Sequence, residues 1–283
     1  MPSGDETPAG GREKEEMTLD LLKKEATAAT STVEMVEIVE MEEDGEYQRQ
    51  LALFSQSSTE KGIELVRIGE TIARLARRRS FLDIGAGGGH LTIPISTSFD
   101  ATTVVEPNAR QAAYLRRRCP QFQIINDVWD KVALGSERFD FILCSHVLYY
   151  IAEGRWLDTI AKMYTHLDDQ GCLAIVIQSP IGEVADFFHY FADYDVNILN
   201  LWRDLIEIYG DRKVSVRYFI NEIFTESLTD MTAIGLFLLI DRRFRDREDE
   251  IRKYLAGRHR TPEGYRIKQE EILLVIGGKD DAY

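Results

Sequence analysis

Cysteine is scarce in this chain. Cys119, Cys144 and Cys172 are the only three in 283 residues, with no CxxC pair and no even-numbered framework. That argues against a disulfide-stapled secreted domain and for reduced thiols in a cytosol. No apolar run is long enough to span a bilayer, and the start Met1-Pro2-Ser3-Gly4-Asp5-Glu6 lacks the apolar core of a signal peptide. The expectation is a cytoplasmic protein with no membrane partner. Positive charge is also short. With 34 Lys and Arg against 48 Asp and Glu, the net charge is −14. Binding nucleic acid needs clustered cations against phosphate, so none is expected as a partner. A cationic small molecule or peptide would suit this acidity better. No His/Asp cluster has convincing ligand spacing, so no metal site is expected. Against these absences, 44% hydrophobic residues suffice to bury the core of one large domain with additions.

The strongest local signal is Phe81-Leu82-Asp83-Ile84-Gly85-Ala86-Gly87-Gly88-Gly89-His90. Phe81, Leu82 and Ile84 suit a short buried strand. Gly85, Gly87, Gly88 and Gly89 follow as a loop able to take positive φ, and Leu91 to Pro94 can open a helix. A strand, a bare loop and a helix start let a ligand lie against backbone N–H groups. A dinucleotide fingerprint would need a third glycine where His90 stands, which speaks against a nicotinamide-dependent oxidoreductase. The pattern acidic-x-Gly-x-Gly-x-Gly fits without a gap. Ala101 to Val105 is a second, β-branched strand ending at Glu106-Pro107-Asn108. An acid there, about 20 residues beyond the first loop, can take both hydroxyls of a ribose.

The rest reads as alternating elements. Residues 1–16 are rich in Gly, Pro, Glu and Lys. Val33 to Met41 fits neither the strand nor the helix period, and could be a helix, an added edge strand or a partner-binding segment. Tyr47, Leu51 and Phe54 share a helix face. Leu65, Ile68, Ile72 and Leu75 outline a helix over 62–79, whose closing Arg77-Arg78-Arg79 run suits capping and solvation. Residues 109–118 form a helix. Phe122 to Ile125 is a third strand closed by Asn126-Asp127-Val128, and Phe139 to Cys144 is a fourth. Ligands in open parallel sheets lie beyond the strands' carboxyl ends, so Ser145-His146-Val147-Leu148-Tyr149-Tyr150 should line the site. A helix over 156–167 and a strand over 172–177 follow. Residues 180–213 are helical and aromatic, with Phe187, Phe188, Tyr190, Phe191, Tyr194, Trp202 and Tyr209. Residues 221–233 read as helix, 236–240 as the sixth strand, 246–256 as helix and 272–276 as the last strand.

Over residues 80–178 the Asp83 to Gly89 loop, Glu106, Asp127 and the Phe139–Tyr150 segment resemble the class I S-adenosylmethionine-dependent methyltransferases. The resemblance implies an α/β fold: a Rossmann-like, mostly parallel sheet of seven strands with helices on both faces, the last strand antiparallel, and a helical cap. The domain would span 46–283, with amino-terminal helices at 46–79, an insertion at 180–213 and an acidic extension at 1–45. S-adenosylmethionine would lie against Asp83, Gly85, Gly87, Gly89, Glu106, Pro107, Asp127, Val128 and Ser145, leaving S-adenosylhomocysteine as product. A narrower likeness joins the chain to small-molecule amine methyltransferases of the histamine N-methyltransferase kind. It rests on Tyr47 ahead of Ser58-Thr59-Glu60, and on Leu148-Tyr149-Tyr150; His146 replaces a glutamine there. It implies in-line methyl transfer to a small-molecule or peptide amine. Glu60, Tyr47 and Tyr150 would hold that substrate, and His146 and Tyr149 would be catalytic. Glu60 could equally belong to a capping box. Methyl transfer to a phenol or carboxylate oxygen, and a non-catalytic cofactor-binding scaffold, are the alternatives.

Overall fold

Short apolar runs separated by glycine and polar turns become seven strands of one sheet in the computed structural model. It describes residues 45–193, 196–239 and 242–277, without the side chains of Tyr47, Arg242, Arg243 and Arg245. Expectations for residues 1–44 and for Tyr194 lie outside the described residues. All described residues fall in one compact unit.

In chain order the elements are α1 (Gly45–Ser57), α2 (Glu60–Ile72), β1 (Ser80–Ile84), α3 (Thr92–Ser96), β2 (Ala101–Val105), α4 (Ala109–Arg118), β3 (Gln123–Ile125), β4 (Phe139–Ser145), α5 (Trp156–Thr165), β5 (Leu167–Gln178), α6 (Glu183–Ala192), α7 (Ile198–Tyr209), β6 (Val214–Thr225), α8 (Leu228–Leu238), α9 (Glu248–Arg258) and β7 (Tyr265–Gly277). The strand order is β3-β2-β1-β4-β5-β7-β6. β1 to β5 pair in parallel, while β7 runs antiparallel between β5 and β6. This is the expected Rossmann-like sheet with its last strand reversed.

Period-2 alternation sends each strand's side chains to two cores. On one face Ile142, Cys144, Ile175, Ile177 and Leu274 pack under α5 and α7. On the other, Phe141, Leu143, Ala174, Val176, Leu273, Val275 and Phe219 meet Ile68 and Ile72 of α2. A third cluster joins α1, α6, α8 and α9, with Phe54, Phe187, Phe191, Ile234 and Ile251 buried together. The aromatic stripe of α6 is thus core material.

Two readings of the second half are corrected. Residues 214–225 form a strand, where 221–233 read as helix; β6 lies at the sheet's edge, and apolar Val216, Tyr218 and Ile220 on its exposed face hide the alternation of a half-buried strand. Residues 228–238 form helix α8, where 236–240 read as strand. That helix is apolar on nearly every side, because α1 and α9 both pack on it, so it shows no stripe of period 3.6. α2 also stops at Ile72, short of the expected 79. Its last carbonyls, of Ile72 and Ala73, accept from the Arg78 guanidinium, so one arginine of the basic run does cap. Arg79 instead pairs with Asp140 and Asp168.

Candidate active site

Gly85, Gly87 and Gly89 all take positive φ, at 76°, 55° and 78°. A side chain on Gly85 would also drive its Cβ into a Val147 methyl. The turn after β4 therefore sits directly against the glycine loop, and only glycine allows that approach. Glu106, at the end of β2, is buried. Its carboxylate accepts from Gly87 N–H and from Asn108 N–H, each at 2.7 Å. Asn108 then caps α4 through the N–H groups of Arg110 and Gln111. Loop, acid and helix start are so fixed together. Asp127 accepts from Val128 N–H at 2.8 Å, and both are partly exposed at the end of β3.

These residues suit an adenosyl cofactor on one further observation. Gln111 Oε1 is buried without a hydrogen-bond partner, and it faces Gly87, 3.1 Å from where a Cβ would stand. A ligand hydroxyl or amine between loop and helix would satisfy it. The sequence reading missed Gln111.

Asp83 is buried, and its carboxylate accepts a 2.6 Å bond from the Thr92 hydroxyl. Burial pushes its pKa up to about 7 in spite of that bond. An acid whose pKa rises on folding contributes stability that is present in full below its unfolded value of about 4, and that is lost as pH rises toward 7. Asp83→Asn keeps an acceptor for Thr92 and removes the titration. Denaturant melts of the variant should lose that decline, making it the more stable protein at pH 8 by up to roughly 4 kcal/mol. Equal pH slopes in the two proteins would refute the shift.

Beyond the end of β4, α2 and β7 bring together a cluster that the sequence did not reveal. Glu60, Glu64 and Ile68 lie on one face of α2, and all three are buried. Gln269 and Glu271 alternate along β7 on the same sheet face as Leu273, while Asn221 pairs opposite Gln269 on β6. His146 Nε2 stands 3.1 Å from Glu64, 3.0 Å from Glu271 and 4.0 Å from Glu60. Its Nδ1 lies 3.3 Å from the Tyr149 hydroxyl, which also accepts from Gln178 N–H. Lys61 Nζ reaches Glu60 at 2.6 Å and Glu64 at 3.0 Å. Gln269 donates to Glu60 and Glu271, Asn221 donates to Glu271, and the Ser145 hydroxyl donates to Glu64.

Electrostatics assign the protons. Burial alone would lower the His146 pKa, but Glu60 and Glu271, with Glu64, hold it up at about 10. His146 is therefore an imidazolium at neutral pH, in the left-handed region at φ 55°. An imidazolium has no lone pair with which to take a proton, so in this state His146 acts as a donor. Burial pushes Glu64 up, yet Lys61 and His146 outweigh it and keep the group ionised. Two cations thus face three carboxylates, and Glu271 is the unmatched one. Its burial, with Glu60 and Glu64 nearby, raises it to about 8 against the pull of His146.

Glu60 does not form the capping box. Its side chain turns inward, Thr59 makes no side-chain cap, and the Glu60 N–H donates to Ser58 Oγ instead. Tyr149 and Tyr150 are half-buried in the turn after β4. Tyr47 falls within α1, but its side chain lies outside the description. The donor atoms of Glu60, Glu64, His146 and Glu271 all lie within 4.8 Å of one another, which would also accommodate a metal ion. The sequence had suggested no such grouping.

Solved structures share this fold. A Bacillus halodurans C-125 protein provisionally assigned as a methyltransferase aligns with a TM-score of 0.57 at 14% identity, covering 77% of this chain and 98% of that one. The plantazolicin methyltransferase BpumL, in complex with S-adenosylhomocysteine, aligns at 0.54 and 11%, over 93% and 98%. A Thermotoga maritima methyltransferase described as a possible histamine N-methyltransferase aligns at 0.52 and 15%, over 85% and 98%. At such identities the likeness is one of fold. No curated protein matches the chain by sequence. A family model described as "Methyltransferase domain" matches residues 47–203, more than half of the chain. The glycine loop, its two strand-end acids and the seven-stranded sheet with β7 reversed thus belong to a member of the methyltransferase-domain family, an S-adenosylmethionine-dependent enzyme.

Proposed function

We propose that this enzyme methylates the nitrogen of a small-molecule or peptide amine in the cytoplasm. One observation carries the reading: three buried carboxylates, Glu60, Glu64 and Glu271, converge beyond the carboxyl end of β4 with two cations among them. That end of a parallel sheet is where ligands bind. The carboxylate oxygens of such a site accept the N–H groups of an amine, whereas a carboxylate acceptor or a phosphate backbone would set acceptor against acceptor. Cys119, Cys144 and Cys172 are buried and in no disulfide, which agrees with a reducing compartment.

When bound, S-adenosylmethionine supplies a methyl group on a sulfonium, activated for direct displacement by a neutral amine. The protein's own work is to hold, orient and deprotonate. Gly85, Gly87 and Gly89 offer bare backbone, with Asp83, Glu106, Pro107, Asp127, Val128 and Ser145 around them. Glu60 and Glu64 anchor the acceptor as a cation. Tyr149 and Tyr150 give it an aromatic wall. Glu271 takes the acceptor's proton, since a base works best with a pKa near the working pH. His146 positions Glu64 and Glu271 as a charged donor.

The test is a methyl-labelled S-adenosylmethionine assay across primary and secondary amines, amino-terminal peptides, phenols and carboxylates. Label on nitrogen is the expected outcome. Label only on oxygen overturns the reading.

A further inference from the structure

Lys61 is the cluster's odd member. Its side chain is 36% exposed, while its partners Glu60 and Glu64 are 5% and 0% exposed. Lys61 is therefore partly open to solvent while its ammonium reaches the carboxylates. His146, by contrast, is fixed by backbone geometry and by Tyr149. The cluster is also not fully satisfied. Asn221 and Gln269 are buried, and both direct their amide nitrogens at the carboxylates, yet Asn221 Oδ1 and Gln269 Oε1 have no hydrogen-bond partner. Buried acceptors left unpaired call for a donor. Buried carboxylates stripped of their cation would be strongly destabilising, so an internal cation must stand there whenever no other does.

We propose that Lys61 is a tethered stand-in for the acceptor, and that the cluster is a binding site for a primary alkylammonium group, which replaces the lysine ammonium on Glu60 and Glu64. This rests on the amine-acceptor reading above. A primary ammonium carries three N–H donors on an alkyl stem, the same chemistry that Lys61 already presents. Amide rotation at Asn221 or Gln269 gives the incoming group an acceptor that the lysine leaves unused. Exchange of one cation for another conserves the charge of the site, and the displaced lysine gains solvent.

The experiment uses the full chain saturated with S-adenosylhomocysteine, and n-butylammonium as the probe. In calorimetry, Lys61→Met should bind n-butylammonium at least tenfold more tightly than the wild type. Tetramethylammonium, which has no N–H, should show no such gain. If the variant fails to fold, wild-type protein still answers: acylation of Lys61, read by peptide mass spectrometry, should rise severalfold when n-butylammonium is added. Equal affinity in both proteins, or an unchanged acylation yield, overturns the proposal and makes Lys61 a structural ion-pair partner. Tight Mn²⁺ binding to Lys61→Met that excludes n-butylammonium also overturns it, in favour of a metal site. Amine methylation with Lys61 unmoved would sink this proposal and leave the proposed function standing. Displacement of Lys61 with methylation confined to oxygen would overturn the amine-acceptor reading, and with it the role of Lys61 as the acceptor's stand-in.

Discussion

Glu106→Ala should raise the dissociation constant for S-adenosylhomocysteine by about 100- to 1,000-fold, measured by calorimetry. Two losses combine. Each charge-assisted bond between a buried carboxylate and a backbone N–H contributes about 1.5–3 kcal/mol, and Glu106 accepts two of them, from Gly87 and Asn108. The alanine variant frees the glycine loop and leaves both N–H groups without their acceptor. It also removes the acid placed to receive the ribose hydroxyls. Glu106→Gln separates the effects. It retains one acceptor oxygen for the loop and exchanges the other for an amide NH₂ group, which only donates, so its melting temperature should lie between those of wild type and alanine. If the alanine variant binds the cofactor product as tightly as the wild type, Glu106 is a loop clamp alone.

The parts of this site carried by local signals were readable. β1, the glycine loop, β2 and α4 follow one another within 40 residues, and each boundary has its own chemistry: positive-φ glycines, a β-branched run, the Asn108 cap. The acidic cluster was not readable, for a different reason. Glu64 looks like one more solvated residue on an amphipathic helix. It is buried only because the Glu60 face of α2 lies over the sheet end that holds Ser145 and Asn221. Glu271 stands where an apolar run begins, and reading that strand from Ile272 left the charge outside it. β7 actually starts at Tyr265, so Gln269 and Glu271 are interior positions paired with Asn221 and Phe219. Strand length there is set by the long antiparallel partner β6, itself misread because its exposed face carries apolar Val216, Tyr218 and Ile220. A burial pattern made by distant pairing leaves no periodic trace within a window. One clue was present: glutamates at i and i+4 that continue the stripe of Ile68 and Ile72.

The cluster's chemistry is tested most severely at Glu271. Glu271→Gln should lower kcat by about 10²- to 10⁴-fold, the usual range for loss of a general base, with little change in acceptor KM because Glu60 and Glu64 still hold the cation. The variant keeps the site's shape. The substituted amide retains one oxygen for His146, and Asn221 can rotate to offer its unpartnered Oδ1 to the new NH₂ group. The pH dependence identifies the mechanism. A base must be ionised to work, so wild-type kcat/KM should rise with pH through about 8, the value to which burial brings Glu271; the variant should lack that limb. Stability should move the opposite way. A carboxyl raised above its unfolded pKa contributes stability that is complete below about 4.3 and is lost as pH climbs through about 8. Above pH 8 the glutamine variant should therefore melt at a higher temperature than the wild type while turning over far more slowly. A residue that merely braced the fold would give a variant both less stable and slower, with the wild-type pH profile intact. A rise in KM at constant kcat would make Glu271 a third anchor for the cation, and the proton would then leave by another route.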